Sequence, residues 1–379
     1  MQGPAYPAAR AVAERVHTHF ARRIAAARER GQPALASEPD AAAVEAIVDS
    51  AFWASLRREE GYSPKISLAF LPPEQAREPL RFERRLPLDP VALSRLAPAV
   101  ERPGIHLGVW RDDGGLCVWG TTRDVPRYCF VLEVIVAGLL VIKYRRGRET
   151  GKYVNVAVLE GDRVKFVDER GTSLPDCPEL LTALLGFGAP DAGTDSLNVL
   201  VQLAASMRAH GRGGSLLVVP RGSELWRESI VHPVTYAAEP PFSELSELIA
   251  RDVAERAAPA WQEALIDAVD MIAGLTAVDG AALINDRYEV LAFGAKIGRR
   301  EGGAQVERVV LTEPVVGDAA VVVHPLQLGG TRHLSAAQFV QDQQGSVALV
   351  ASQDGRFTVF AWSPCETMVH AHRVETLLL

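Results

Sequence analysis

Residues 328–345 read LGGTRHLSAAQFVQDQQG, and residues 345–362 continue as GSVALVASQDGRFTVFAW. The first stretch passes from a glycine pair into a helical pattern. The second holds a compact apolar run that ends at Ser352, Gln353 and Asp354, followed by a further strand-like run, the pattern of buried strands joined by a turn. Helix and strand interleave here, which points to an α/β domain on a mixed sheet. The helix start also carries chemistry. The Thr331 hydroxyl, the Arg332 guanidinium and the His333 imidazole cluster there, beside backbone N–H groups at Gly329 and Gly330. Such a group suits an anion, above all a phosphate. A polar helix N-terminus with a solvated arginine and a structural histidine is the competing reading of these residues alone.

Working outward, 379 residues suggest two domains, and 48% hydrophobic with 23% charged residues describes a globular chain. A formal net charge of -7 argues against a general nucleic-acid binder. The basic run KYRRGRETGK (143–152) lies between apolar segments and reads as a charged hairpin tip. Cys117, Cys129, Cys177 and Cys365 form no C-x-x-C pair, which disfavours a zinc cluster or disulfide framework and fits a reducing cytoplasm. The first residues lack a secretory-signal pattern. The most apolar run, CFVLEVIVAGLLVIKY (129–144), contains Glu133 and is shorter than the roughly 20 residues of a bilayer-spanning helix. It reads as buried strand or core helix, and no membrane partner is expected.

The N-terminal part, 1–190, reads as a smaller α+β domain. Helices are expected over 8–30 and from 41, a strand at Ile66, Leu68 and Phe70, and hairpins around Asp112-Asp113-Gly114-Gly115 and Glu160-Gly161-Asp162. Trp110 and Trp119 sit on the first hairpin and are expected to serve core packing. Pro, Gly and Asp crowd residues 174–197, a connector with one short helix. The C-terminal domain, 191–379, is expected to be α/β, with a mixed central sheet flanked by helices. Its SLLVVP (215–220) reads as a buried strand, and one long helix is expected from about 246 to 276. His232, His324, His370 and His372 match no metal-ligand spacing and read as scattered surface histidines.

Three pieces of this second domain are the parts that nucleotidyl transfer needs. Asp279-Gly280-Ala281 leads straight into a strand, with a carboxylate beside two small residues. The Gly330-Thr331-Arg332-His333 segment offers a cationic phosphate cradle. Ser352-Gln353-Asp354 forms a polar strand end. In order and spacing these pieces resemble the diadenylate cyclase family, including the cyclase domain of the DNA-integrity-scanning cyclases. The family's D-G-A triplet stands here as DGA at 279–281, and its G-T-R-H-R-x-A segment as GTRHLSA at 330–336. HGRGGSLLVVPRGSELW (210–226) and PPFSELSEL (240–248) are similar to its flanking segments, so the resemblance covers about residues 196–362.

The resemblance implies condensation of two ATP molecules to cyclic di-AMP and two pyrophosphates, a second messenger of bacterial signalling, in two domains that meet face to face. It implies Mg²⁺ or Mn²⁺, with Asp279 binding the metal and promoting attack by the ribose 3′-hydroxyl. Gly280 and Ala281 would line the nucleotide. Gly330, Thr331, Arg332 and His333 would hold the triphosphate and stabilise charge at the α-phosphate. Ser352 would bind substrate, and Asp354 would be a second metal ligand in place of the family's glutamate. The family's second arginine is Leu334 here, and Gln353 stands near that glutamate position. These departures leave two alternatives: a nucleotide-binding signalling module without turnover, and a synthase of another cyclic or linear nucleotide. The N-terminal half resembles, through HLGVWRDDGGLCVWGTT (106–122) and domain order, sensor-type domains fused to such cyclases. Its own ligand or partner is not legible.

Overall fold

The computed structural model describes residues 5–58, 61, 63–145, 153–168, 199–256 and 258–379. The chain divides into two compact units, Met1–Val167 with Leu379, and Asp168–Leu378. The boundary expected near residue 190, the short helix expected within 174–197, and the basic run from 146 to 152 lie outside the described residues.

The N-terminal unit contains α1 (Pro7–Glu29), α2 (Ala41–Ser55), β1 (Ile66–Phe70), β2 (Leu80–Pro87), α3 (Pro90–Val100), β3 (His106–Asp112), β4 (Gly115–Thr122), β5 (Val131–Val136), β6 (Leu139–Arg145), β7 (Tyr153–Glu160) and β8 (Arg163–Phe166). Its sheet runs β2-β4-β3-β1-β5-β6-β7-β8, antiparallel except for the β1–β3 pair. Val12, Val16, Phe20 and Ile24 recur at helical spacing along α1 and bury against the sheet with Ile47 and Leu93. Asp40 and Asp89 cap α2 and α3, accepting from the Ala43 and Val91 N–H groups at 2.8 Å. The apolar run 129–144 resolves into the β5–β6 hairpin, turning at Gly138 with φ 76°. Trp119 is buried and donates Nε1–H to the Leu71 carbonyl at 2.8 Å, while Trp110 packs on Phe70. Both tryptophans therefore serve packing.

The C-terminal unit contains α4 (Val199–Ala209), β9 (Gly214–Val219), β10 (Tyr236–Phe242), α5 (Glu244–Ala250), α6 (Val253–Arg256), α7 (Pro259–Leu275), β11 (Ala281–Asn285), β12 (Val290–Ala295), β13 (Val309–Thr312), β14 (Val321–Val323), α8 (Thr331–Asp342), β15 (Val347–Ala351), β16 (Phe357–Ser363) and β17 (Met368–Arg373). The sheet order is β10-β12-β11-β9-β15-β16-β17-β13-β14, mixed because β9–β11 and β13–β17 pair in parallel. Leu203, Met207, Leu265 and Ile272 cover one face from α4 and α7. Ala336, Phe339 and Val340 cover the other from α8. Two mixed sheets flanked by helices give the expected α/β class.

One expectation fails locally. The single helix from 246 to 276 is three helices. Asp252 caps a new start by accepting from the Glu255 N–H at 2.9 Å. Pro259 opens α7 and holds Ala258 extended at ψ 136°. Strand β10 comes from YAAEPPF, whose prolines argue against a strand. It is tolerated because β10 is the sheet edge and its register to β12 shifts between Ala237 and Phe242. No helix among the described residues is long and apolar enough to cross a membrane.

His370 and His372 are not surface residues as expected: they are 1% and 0% exposed on β17. They stay in the interior through partners, His372 Nδ1 lying 2.7 Å from Thr312 Oγ1 and His370 Nε2 3.0 Å from Glu366 Oε2. Burial pulls the His372 pKa down to about 3 and that of His106, in the other unit, to about 4. Both folded values lie below the ordinary 6.5. The unfolded chain therefore takes up protons first, and stability present above pH 6.5 drains away as the pH falls towards 4. Both histidines pull in the same direction across that window. The urea midpoint should drop between pH 7 and pH 5, before most carboxylates titrate, and a flat profile over that range would contradict the account.

Candidate functional site

Strand direction gathers the site. β9 and β11 run parallel, with Ser215 and Ala281 near their starts. β15 runs antiparallel to β9, so its last residue, Ala351, pairs with Gly214. β12 runs antiparallel to β11, so its last residue, Ala295, pairs with Ala281. Two starts and two ends thus lie at one end of the sheet, and the N-terminus of α8 joins them. A cavity of about 720 Å³ opens there. Asp279, Gly280, Ala281, Gly330, Thr331, Arg332, His333, Ser352 and Asp354 all line it, together with Gln353. Every site residue expected from the sequence is therefore brought to one place.

Asp279 precedes β11 with its side chain 93% exposed, and Lys296 Nζ approaches its Oδ2 at 3.9 Å. Gly280 has φ 111°, and a Cβ there would lie 2.6 Å from the Gly294 carbonyl carbon. The small residue after the aspartate thus answers to the close approach of β12. Ala281 puts its side chain in the core, 1% exposed, so the cavity meets mainly its backbone.

At the α8 mouth the two glycines have different jobs. A Cβ on Gly329 would overlap the His333 ring, whereas one on Gly330 would meet nothing. Gly330 is the N-cap, with no side-chain cap and no acidic residue in the first turn; the His333 N–H donates to its carbonyl at 3.1 Å, which leaves the Thr331 and Arg332 N–H groups to face an anion. Thr331 is exposed and Arg332 half-buried, one guanidinium nitrogen lying 3.0 Å from where a Cβ on Gly213 would stand. His333 adds no second cation to this group. His333 is 2% exposed, with Nε2 3.5 Å from Thr358 Oγ1. Burial, reinforced by Arg373, pulls its pKa down to about 4, so at neutral pH it is an uncharged donor or acceptor. Leu334 packs against the core cluster on this face of the sheet.

Ser352 and Asp354 sit in the β15–β16 turn, where the Ser352 N–H donates to the Arg356 carbonyl at 2.9 Å. Asp354 accepts from the Arg356 N–H at 3.3 Å and pairs with its Nε at 3.4 Å. Lys296, Ile297, Ser215 and Ser335 also line the cavity and were not singled out from the sequence. Ser335 lies within the GTRHLSA segment, at the position the family pattern leaves open. Lys296 follows a strand whose end reaches the cavity only through the pairing with β11.

Among the described residues no group of three His, Cys, Asp or Glu side chains is placed to hold a metal ion. The cavity offers two carboxylates, Asp279 and Asp354. Mg²⁺ is commonly bound through one or two carboxylates plus substrate phosphates and water. In type, these two carboxylates are donors a hard divalent ion such as Mg²⁺ or Mn²⁺ accepts.

A search of curated proteins gives no match to this chain. Residues 33–123 match the family model described as Probable sensor domain DACNV. From just before α2 to the end of β4, the N-terminal unit is similar to that sensor family.

Proposed function

We propose that the C-terminal unit is a diadenylate cyclase-like nucleotidyltransferase, regulated by the N-terminal sensor domain, that condenses two ATP to cyclic di-AMP. The carrying observation is the convergence of the DGA and GTRH segments and the Ser352–Asp354 turn on one cavity. Its volume of about 720 Å³ suits a single nucleotide. In the reaction each ribose 3′-oxygen forms a bond to the α-phosphorus of the other ATP. The bond from that phosphorus to the pyrophosphate oxygen breaks, and the hydroxyl proton leaves to solvent.

Asp279 would orient the attacking hydroxyl and hold the divalent ion with help from Asp354. When bound, that ion supplies charge neutralisation on the phosphates. The uncapped N–H groups of α8, Thr331 and Arg332 would hold the phosphate chain, and His333 would act as a neutral hydrogen-bond partner at its base. Because one cavity holds one ATP, two chains must face each other. The similarity to DACNV supports the sensor half of the reading. A bacterial cytoplasm, where ATP is abundant and thiols stay reduced, suits it.

Product analysis tests this directly. Purified chain with ATP and Mg²⁺ or Mn²⁺ should give cyclic di-AMP, with activity per chain rising with concentration until the dimer saturates. Turnover to another product, or ATP binding without turnover, would replace the cyclase reading by one of its two alternatives.

A further inference from the structure

Lys296 follows β12 directly, and its backbone is fixed from outside, the carbonyl accepting from the Val231 N–H at 2.8 Å. Its side chain is 71% exposed and reaches Asp279 Oδ2 at 3.9 Å. An ion pair this exposed contributes little to stability, so each partner is free to exchange. Lys296 and Arg332 are the lining cations of the cavity. One stands at the end of β12 beside Asp279, the other at the start of α8 beside Gly213. Between them the cavity has a cation at both the β12 and the α8 walls, although His333 is neutral and Leu334 belongs to the core.

We propose that Lys296 is a phosphate-binding residue. On nucleotide entry its ammonium exchanges Asp279 for the phosphate chain, and the freed Asp279 carboxylate would be available to hold a divalent ion. This rests on the nucleotide reading of the cavity. Lysine suits the role because its ammonium is a compact charge on a flexible stem and can follow the phosphates without fixed bidentate geometry.

The test compares ATP and adenosine binding in the full-length chain and in Lys296→Gln and Lys296→Arg, with melting temperatures as a folding control. Lys296→Gln should weaken ATP binding about tenfold, the loss of one charge-assisted contact. It should leave adenosine binding unchanged, and Lys296→Arg should restore most of the ATP affinity. Unchanged ATP affinity in Lys296→Gln, or an equal loss for adenosine, overturns the proposal while leaving the nucleotide reading in place. If the unsubstituted chain binds no ATP, the nucleotide reading fails and takes the proposal with it.

Discussion

Asp279→Asn should abolish cyclic dinucleotide formation and leave the fold intact. The side chain is 93% exposed and its nearest charged partner is Lys296 at 3.9 Å, so neutralising it removes almost nothing from stability. The same exposure makes it the freer of the two cavity carboxylates, because Asp354 is tied to Arg356 by a backbone hydrogen bond and an ion pair. An amide is a far poorer ligand for a hard divalent ion and does not attract the hydroxyl proton. The barrier should rise by about 4 kcal/mol or more, roughly a thousandfold in rate. Cyclic dinucleotide yield, measured beside the melting temperature, checks both halves of the statement. Asp354→Asn should have the smaller effect. If the order were reversed, the metal-holding role would belong to the β15–β16 turn.

The sequence signals that worked were local ones. Compact apolar runs located β9, β11 and β15, and the glycine before Thr331 marked the start of α8. What they could not supply was direction. Asp279, Arg332 and Asp354 share a cavity because β11 is parallel and β15 antiparallel to β9, and pairing sense leaves little trace in a single strand. Burial of single polar residues was equally hidden. His333 stood beside Arg332 in a cluster of donors, yet the helical turn that exposes Thr331 carries His333 under Gly329. His370 and His372 looked scattered, yet β17 buries both beside Thr312 and Glu366. In β10, Pro240 and Pro241 masked a strand that only an edge position permits. The N-terminal unit was legible chiefly as hairpins and hydrophobic spacing, and the match over residues 33–123 stops before β5.

Gly280→Ala should unfold or strongly destabilise the C-terminal unit, and this separates two explanations of the DGA triplet. A glycine after the aspartate could be there so that a ligand approaches the backbone. The geometry gives it a different task. At φ 111° an L-residue is strained, and its Cβ would lie 2.6 Å from the Gly294 carbonyl carbon and 2.8 Å from the Ala295 carbonyl oxygen. These neighbours are backbone of β12, locked by pairing with both β11 and β10, so they cannot swing aside as a flexible side chain would. Strain and overlap together should cost about 3 kcal/mol or more. For a unit of this size that lowers the melting temperature by roughly 6 °C or more. Gly330→Ala is the matched comparison. Its φ is -77° and its added methyl meets nothing, so its melting temperature should stay near that of the unsubstituted chain. A stable Gly280→Ala that binds ATP poorly would show that the glycine yields to the nucleotide. An unstable Gly280→Ala beside a stable Gly330→Ala would show that the triplet first builds the β11–β12 junction. Asp279 can then reach the cavity because that junction holds the start of β11 in place.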